Sequence, residues 1–168
     1  MLTKLNLDGH ELDLPKLRGT DSVTSLDLSG KGLGHDSAVV IASLIAGNAV
    51  LKKLNLVDNY IGPEGALAIS AALRGNGVLT ELRLDKNEIG DEGATALASA
   101  LEVNEVRLKT LSLGNNRIRA EGVTAIAEAL RRNEVLATLD LRANDLGDEG
   151  KGVIRGAVSG RVRFKLKM

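Results

Sequence analysis

The chain repeats itself. Five segments open at Val23, Leu51, Leu79, Leu108 and Leu136 and read VTSLDLSGKGL, LKKLNLVDNYI, LTELRLDKNEI, LKTLSLGNNRI and LATLDLRANDL. The starts lie 28, 28, 29 and 28 residues apart, the one extra residue falling at or near Arg107. Each segment runs on into a second half, seen as GPEGALAISAAL, GDEGATALASAL, RAEGVTAIAEAL and a weakened GDEGKGVIRGAV. A fixed period of this length restricts the fold severely. One unit has too little apolar surface to close a core alone, so neighbouring units must stack and share one.

The two halves carry different periods. Leu54 and Leu56, Leu82 and Leu84, and Leu111 and Leu113 alternate at period two, which places each pair on one face of a strand. Ala66, Ile69 and Leu73, like Ala94, Leu97 and Leu101, recur at helical spacing. The helices are expected near 36–46, 63–74, 91–102, 120–131 and 148–158. Glu64, Glu92, Glu121 and Glu149 fall in their first turns, where negative charge suits the helix dipole. After each strand comes Asn59, Asn87, Asn116 or Asn144. The turn leaving a strand has backbone groups outside any ladder, and a buried amide both donates to and accepts from them, so these four are read as a structural Asn ladder.

Two segments stand outside the pattern. Residues 1–22 match the strand half at LTKLNLDGHEL, with His10 in the Asn position, and read as a truncated capping repeat whose helix is replaced by a loop around Pro15. Residues 159–168 alternate Val162, Phe164, Leu166 and Met168 with Arg163, Lys165 and Lys167, a final half-buried strand closing the last repeat. The whole is one domain: 168 residues and 17.7 kDa allow a single substantial core. With one Tyr, one Phe and no Trp, that core must be Leu, Ile, Val and Ala.

The pattern L-x-x-L-x-L-x-x-N-x-[IL]-G-x-E-G-A resembles the leucine-rich repeat superfamily, in its ribonuclease-inhibitor-like branch with a 28-residue period. The likeness is tight over 23–158 and loose over 2–12. It implies an α/β fold, a right-handed solenoid bent into a horseshoe arc, with parallel strands on the concave face and helices on the convex one. It also implies a protein-interaction module or scaffold. The alternatives are a regulator of a small GTPase, as in the Ran GTPase-activating members, and a structural subunit assembling through its terminal edge strand.

In such an arc the residues between the leucines point outward from the sheet. The central column reads Asn6, Asp27, Asn55, Arg83, Ser112 and Asp140. Candidate partner-binding residues on this face are Asp27, Lys53, Asn55, Tyr60, Glu81, Arg83, Asp85, Arg117, Asp140 and Arg142. Lys53 is expected beside Glu81, and Asp58 beside Lys86. Interface hot spots favour Trp, Tyr and Arg; the face offers Tyr60, Arg83, Arg117 and Arg142, so binding to another protein should be polar and salt-sensitive.

Other classes fit poorly. Without cysteine there are no disulfides, thiolate metal sites or cysteine nucleophiles. Metal-ligand spacing, a P-loop and a nucleophile elbow are missing, and His10 and His35 are the only histidines, so no catalytic residue, cofactor or metal is expected. The sequence has no apolar run long enough for a membrane span and no signal-peptide pattern, which points to a soluble cytoplasmic protein. Net charge is zero, yet residues 151–168 hold six basic residues and no acidic one, leaving −6 on residues 1–150. That basic end lacks the Gly-rich or aromatic-interleaved motifs of nucleic-acid binders. It reads as a guard on an exposed edge strand. A monomer is expected, with a homodimer through the Val162–Met168 edge as the alternative.

Overall fold

The computed structural model describes residues 2–103 and 105–168. It opens with β1 (Lys4–Leu7), β2 (His10–Asp13) and a short helix α1 (Leu14–Arg18). Five strand–helix units follow: β3 (Ser25–Asp27) with α2 (His35–Ile45), β4 (Lys53–Asn55) with α3 (Gly62–Gly75), β5 (Glu81–Arg83) with α4 (Gly90–Leu101), β6 (Thr110–Ser112) with α5 (Ala120–Leu130), and β7 (Thr138–Asp140) with α6 (Gly147–Val158). Strand β8 (Lys165–Lys167) comes last. The helices match the expected spans to within two residues.

Strands β3 to β8 form one parallel sheet in chain order. The middle row of the register is leucine throughout, Leu26, Leu54, Leu82, Leu111, Leu139 and Leu166. Leu54, Leu82, Leu111 and Leu139 are fully enclosed between the sheet and the helices. Burying such a side chain contributes about 1.5–3 kcal/mol, so this row and the helix-facing stripe hold the arc together. Helices approach one another closely at the recurrent E-G. A Cβ on Gly93 would lie 2.9 Å from Ala66 Cβ and 2.4 Å from Ile89 Cγ2, and one on Gly122 would lie 2.6 Å from Asp91 Oδ1. The conserved spacing of that glycine along the chain is therefore a packing requirement.

Two rows of asparagine secure the turns. Asn59 Oδ1 accepts from the Lys31 and Leu33 amides of the preceding unit, while its Nδ2 donates to Leu28 O and Leu56 O. Asn87, Asn116 and Asn144 repeat the scheme: each donates to carbonyls of its own and the preceding unit, and accepts from amides of the preceding one. A second row lies at the helix-to-strand turns. Asn48, Asn76 and Asn133 each accept from the amides two and three residues on and donate to carbonyls of the unit before. The next position in that register is Arg161, which donates to Asn133 O at 2.9 Å and to Leu136 O and lies over the Phe164 ring at 4.5 Å.

The expectation for the N-terminal flank fails, and that for the C-terminal flank holds over its last residues. Lys4–Leu7 does not join the parallel sheet: it pairs antiparallel with His10–Asp13 in a separate hairpin, so Asn6 leaves the central column and faces Glu11. The turn Asp8–Gly9 takes positive φ at both residues, which closes a tight hairpin, and the stretch around Pro15 is a helical turn started by Asp13, whose side chain accepts from Lys16 N. Asp8 also accepts from Gly34 N at 2.8 Å and from Ser37 Oγ, supplying the start of α2 with the cap its own Gly34 lacks. At the other flank only Lys165–Lys167 is strand, and Val162 is 99 % exposed. Phe164 and Leu166 still pack against the core, Arg161 lies over the Phe164 ring, and β8 closes the last repeat by pairing parallel with β7.

Candidate functional site

The outward side chains of β3 to β8 form three rows. One reads Ser25, Lys53, Glu81, Thr110, Thr138 and Lys165; the next reads Asp27, Asn55, Arg83, Ser112, Asp140 and Lys167. The third, just past the strands, holds Val57, Asp85, Gly114 and Arg142. Adjacent strands stand about 4.8 Å apart, so neighbours along a row touch. Lys53 Nζ meets Glu81 Oε2 at 3.2 Å, as the spacing predicts.

Several of these groups have work within the fold. Asp27 Oδ1 accepts from Ser29 N, Ser29 Oγ and Asn55 Nδ2, and these bonds, the Ser29 hydroxyl foremost, hold its carboxyl below the usual carboxylate range. Asn55 Oδ1 accepts from Val57 N in the same way. Asp140 is 4 % exposed. Burial by itself would raise its pKa, but the Arg142 guanidinium at 2.7–3.2 Å, the Arg142 amide and Lys167 Nζ at 3.6 Å outweigh that and lower it. Arg142 is raised in turn, chiefly by its bond to Asp140. At Arg83 and Ser112 the central column has no carboxylate. Asp85 takes over across the repeat boundary, its Oδ1 accepting from Ser112 Oγ at 2.7 Å and Gly114 N at 3.0 Å. A Cβ on Gly114 would lie 2.8 Å from that oxygen, so the close approach requires glycine.

The sequence-chosen residues therefore divide. Lys53, Glu81, Arg83 and Arg142 present charge to solvent on the concave face, whereas Asp27, Asn55, Asp85 and Asp140 also terminate strands. Tyr60 and Arg117 belong elsewhere, on the loops leaving the strands. There a depression of about 310 Å³ is lined by Asp58, Asn59, Tyr60, Lys86, Glu88, Asn115 and Arg117. Arg117 pairs with Glu88 at 2.8 Å, and Tyr60 is 66 % exposed. Asp58 and Lys86 hold equivalent positions in adjacent units, both with φ near +57°, and form no ion pair among the described residues. The concave face itself has two depressions: one of about 200 Å³ around Asp27, Lys53, Asn55 and Arg83, and one of about 220 Å³ from Arg83 to Lys167.

Sequence reasoning missed the second Asn row and the cross-repeat caps made by Asp8 and Asp91, the latter accepting from Arg119 N and Gly122 N at 2.7 and 2.9 Å. The first had a signal, since Asn48, Asn76, Asn104 and Asn133 recur at the repeat period. The caps had none, because the acceptor and the helix that it caps lie 26–31 residues apart.

Repeating strand–helix units with one parallel sheet on the inside of the stack define a solenoid repeat protein of the α/β kind. The Leucine Rich repeat family profile matches residues 47–70, 75–98, 108–127 and 132–150. The chain belongs to the leucine-rich repeat family. Among solved structures it is similar to actin-binding site 2 of leiomodin-1, with 24 % identity, a TM-score of 0.76, and cover of 87 % of this chain and 85 % of that one. It is also similar to the tropomodulin C-terminal domain of Caenorhabditis elegans, with 14 % identity, a TM-score of 0.72, and cover of 87 % and 89 %. No curated protein matches the chain in sequence. No helix among the described residues is long and apolar enough to cross a membrane.

Proposed function

We propose that the protein is an interaction module that binds another protein through its concave face. One observation carries this reading: a six-stranded sheet whose outer rows are polar and charged, open to solvent and set in a rigid frame. Arg83 and Lys53 reach solvent there while leucines lock the strands beneath them. A preformed surface loses little conformational freedom on association, which favours equilibrium binding without rearrangement.

Because leiomodin-1's similar domain is an actin-binding site, actin is the first partner to test. Labelled protein is titrated with actin and, in parallel, used to capture proteins from native extract. Two double variants are compared: Lys53→Glu with Arg83→Glu on the concave face, and Val39→Glu with Leu67→Glu on exposed positions of α2 and α3. Loss of a partner in the first pair and retention in the second supports the reading. Retention in the first pair and loss in the second places the interface on the convex helices and refutes it. Arg142 is left intact in this test, since reversing it would place a second carboxylate against buried Asp140.

A further inference from the structure

On the C-terminal half of the concave face, carboxylates and cations are segregated by depth. Asp140 is 6 % exposed at its side chain and Asp85 19 %, whereas Arg83 is 49 %, Lys167 49 % and Arg142 63 % exposed. Asp140 is committed to Arg142 and Lys167, and Asp85 to Ser112 and Gly114 through Oδ1, while its buried Oδ2 has no hydrogen-bond partner among the described residues. The cations keep free donors. Among the described residues Arg83 pairs only with Asp85 Oδ2, at 4.0 Å, and Lys167 reaches Asp140 by one contact at 3.6 Å. These three basic groups share the lining of the depression of about 220 Å³ with Glu81, Asp85 and Asp140 and with the small residues Thr110, Ser112 and Thr138.

We propose that this depression receives an acidic segment of the protein partner, with an Asp or Glu carboxylate seated between Arg83, Arg142 and Lys167. The inference rests on the concave-face reading and names the partner chemistry for it. A carboxylate there meets two guanidinium groups and an ammonium, beside the Thr110 and Thr138 side chains that line the same depression. Four cations, Lys53, Arg83, Arg142 and Lys167, stand against three carboxylates, Glu81, Asp85 and Asp140, so the cluster keeps one positive charge for it. Larger side chains at Thr110 and Thr138 would narrow the depression they line. Charged hydrogen bonds of this kind are about twice as strong as neutral ones, and their contribution falls with salt.

The test is fluorescence anisotropy with a labelled Glu-rich decapeptide, a Gln-for-Glu version and a single-stranded oligonucleotide of equal charge. Arg83→Ser with Lys167→Ser removes two concave charges; Lys151→Ser with Arg155→Ser removes two from α6. Thr138→Leu narrows the depression without altering charge, and circular dichroism checks that each variant is folded. The expected result is binding of the Glu peptide only, weakened about tenfold or more by the concave pair and by Thr138→Leu, and less than about twofold by the α6 pair, where tenfold corresponds to about 1.4 kcal/mol. Equal weakening by both pairs, equal binding of the Gln peptide, or equal binding of the oligonucleotide overturns the proposal. If no peptide binds while a protein partner still depends on Lys53 and Arg83, the acidic-segment proposal falls and the concave-face reading stands.

Discussion

Replacing Asn116 with alanine tests how the turns of the arc are held. Asn116 is fully buried. Its Oδ1 accepts from Asn87 N at 2.8 Å and Ile89 N at 3.3 Å, and its Nδ2 donates to Leu84 O at 2.8 Å and Gly114 O at 3.2 Å. The carbonyls keep other donors, Asn87 Nδ2 for Leu84 O and Lys86 N for Gly114 O. The two amides keep none, and the site is closed to water. Each orphaned buried amide costs about 1–3 kcal/mol and each carbonyl bond lost about 0.5 kcal/mol, so Asn116→Ala should destabilise by about 3–7 kcal/mol. Urea unfolding followed by far-ultraviolet circular dichroism reads this as a midpoint drop of about 1.5–3.5 M at a slope near 2 kcal/mol/M. The neighbouring Asn115, exposed and without a buried bond, should lose less than about 1 kcal/mol on the same change. A loss below 1 kcal/mol at Asn116, or equal losses at both, would refute the reasoning.

Three further outcomes follow from the same structure. Ala143 is exposed with φ +56°, so Ala143→Gly should stabilise by about 0.5–1 kcal/mol in the same urea assay, against the usual sign of that substitution. In α6 only Gly150 and Ile154 are buried, and Gly152 and Gly156 have open space at their Cβ positions; amide exchange should be faster over 148–158 than over 91–101, and Gly152→Ala with Gly156→Ala should slow it, each adding about 1 kcal/mol. Acid should destabilise the fold. Asp140 is ionised more easily folded than unfolded, so its contribution is full above the unfolded value of 3.8 and is lost as pH falls through the lower folded pKa. Thermal melts should show a steep fall in stability below about pH 4 that is shallower in Asp140→Asn.

The repeat period made most of the fold legible. Leucines at period two and alanines at helical spacing placed all five strand–helix units, because stacking leaves each residue one environment that recurs in every unit. The flanks were less legible for the same reason: once no neighbour repeats the pattern, local turn chemistry decides. Asp8–Gly9 reverses the chain into a hairpin, although Leu5 and Leu7 mimic the repeat's strand. At the site, residue type identified which side chains leave the sheet but not their depth. Asp140 and Arg83 share one row, yet one is buried beneath Arg142 and the other faces solvent. Depth there depends on contacts across the repeat boundary, which the sequence of one unit does not contain.

The concave-face claim is tested most directly by photocrosslinking. A benzophenone amino acid is placed at Ser25, exposed on the concave face and given no part in binding, in one preparation and at Leu67, on the outer surface of α3, in another. Both are irradiated in native extract or with a purified partner. The account predicts a crosslinked partner from position 25 and none from position 67. Crosslinking from position 67 alone would contradict it.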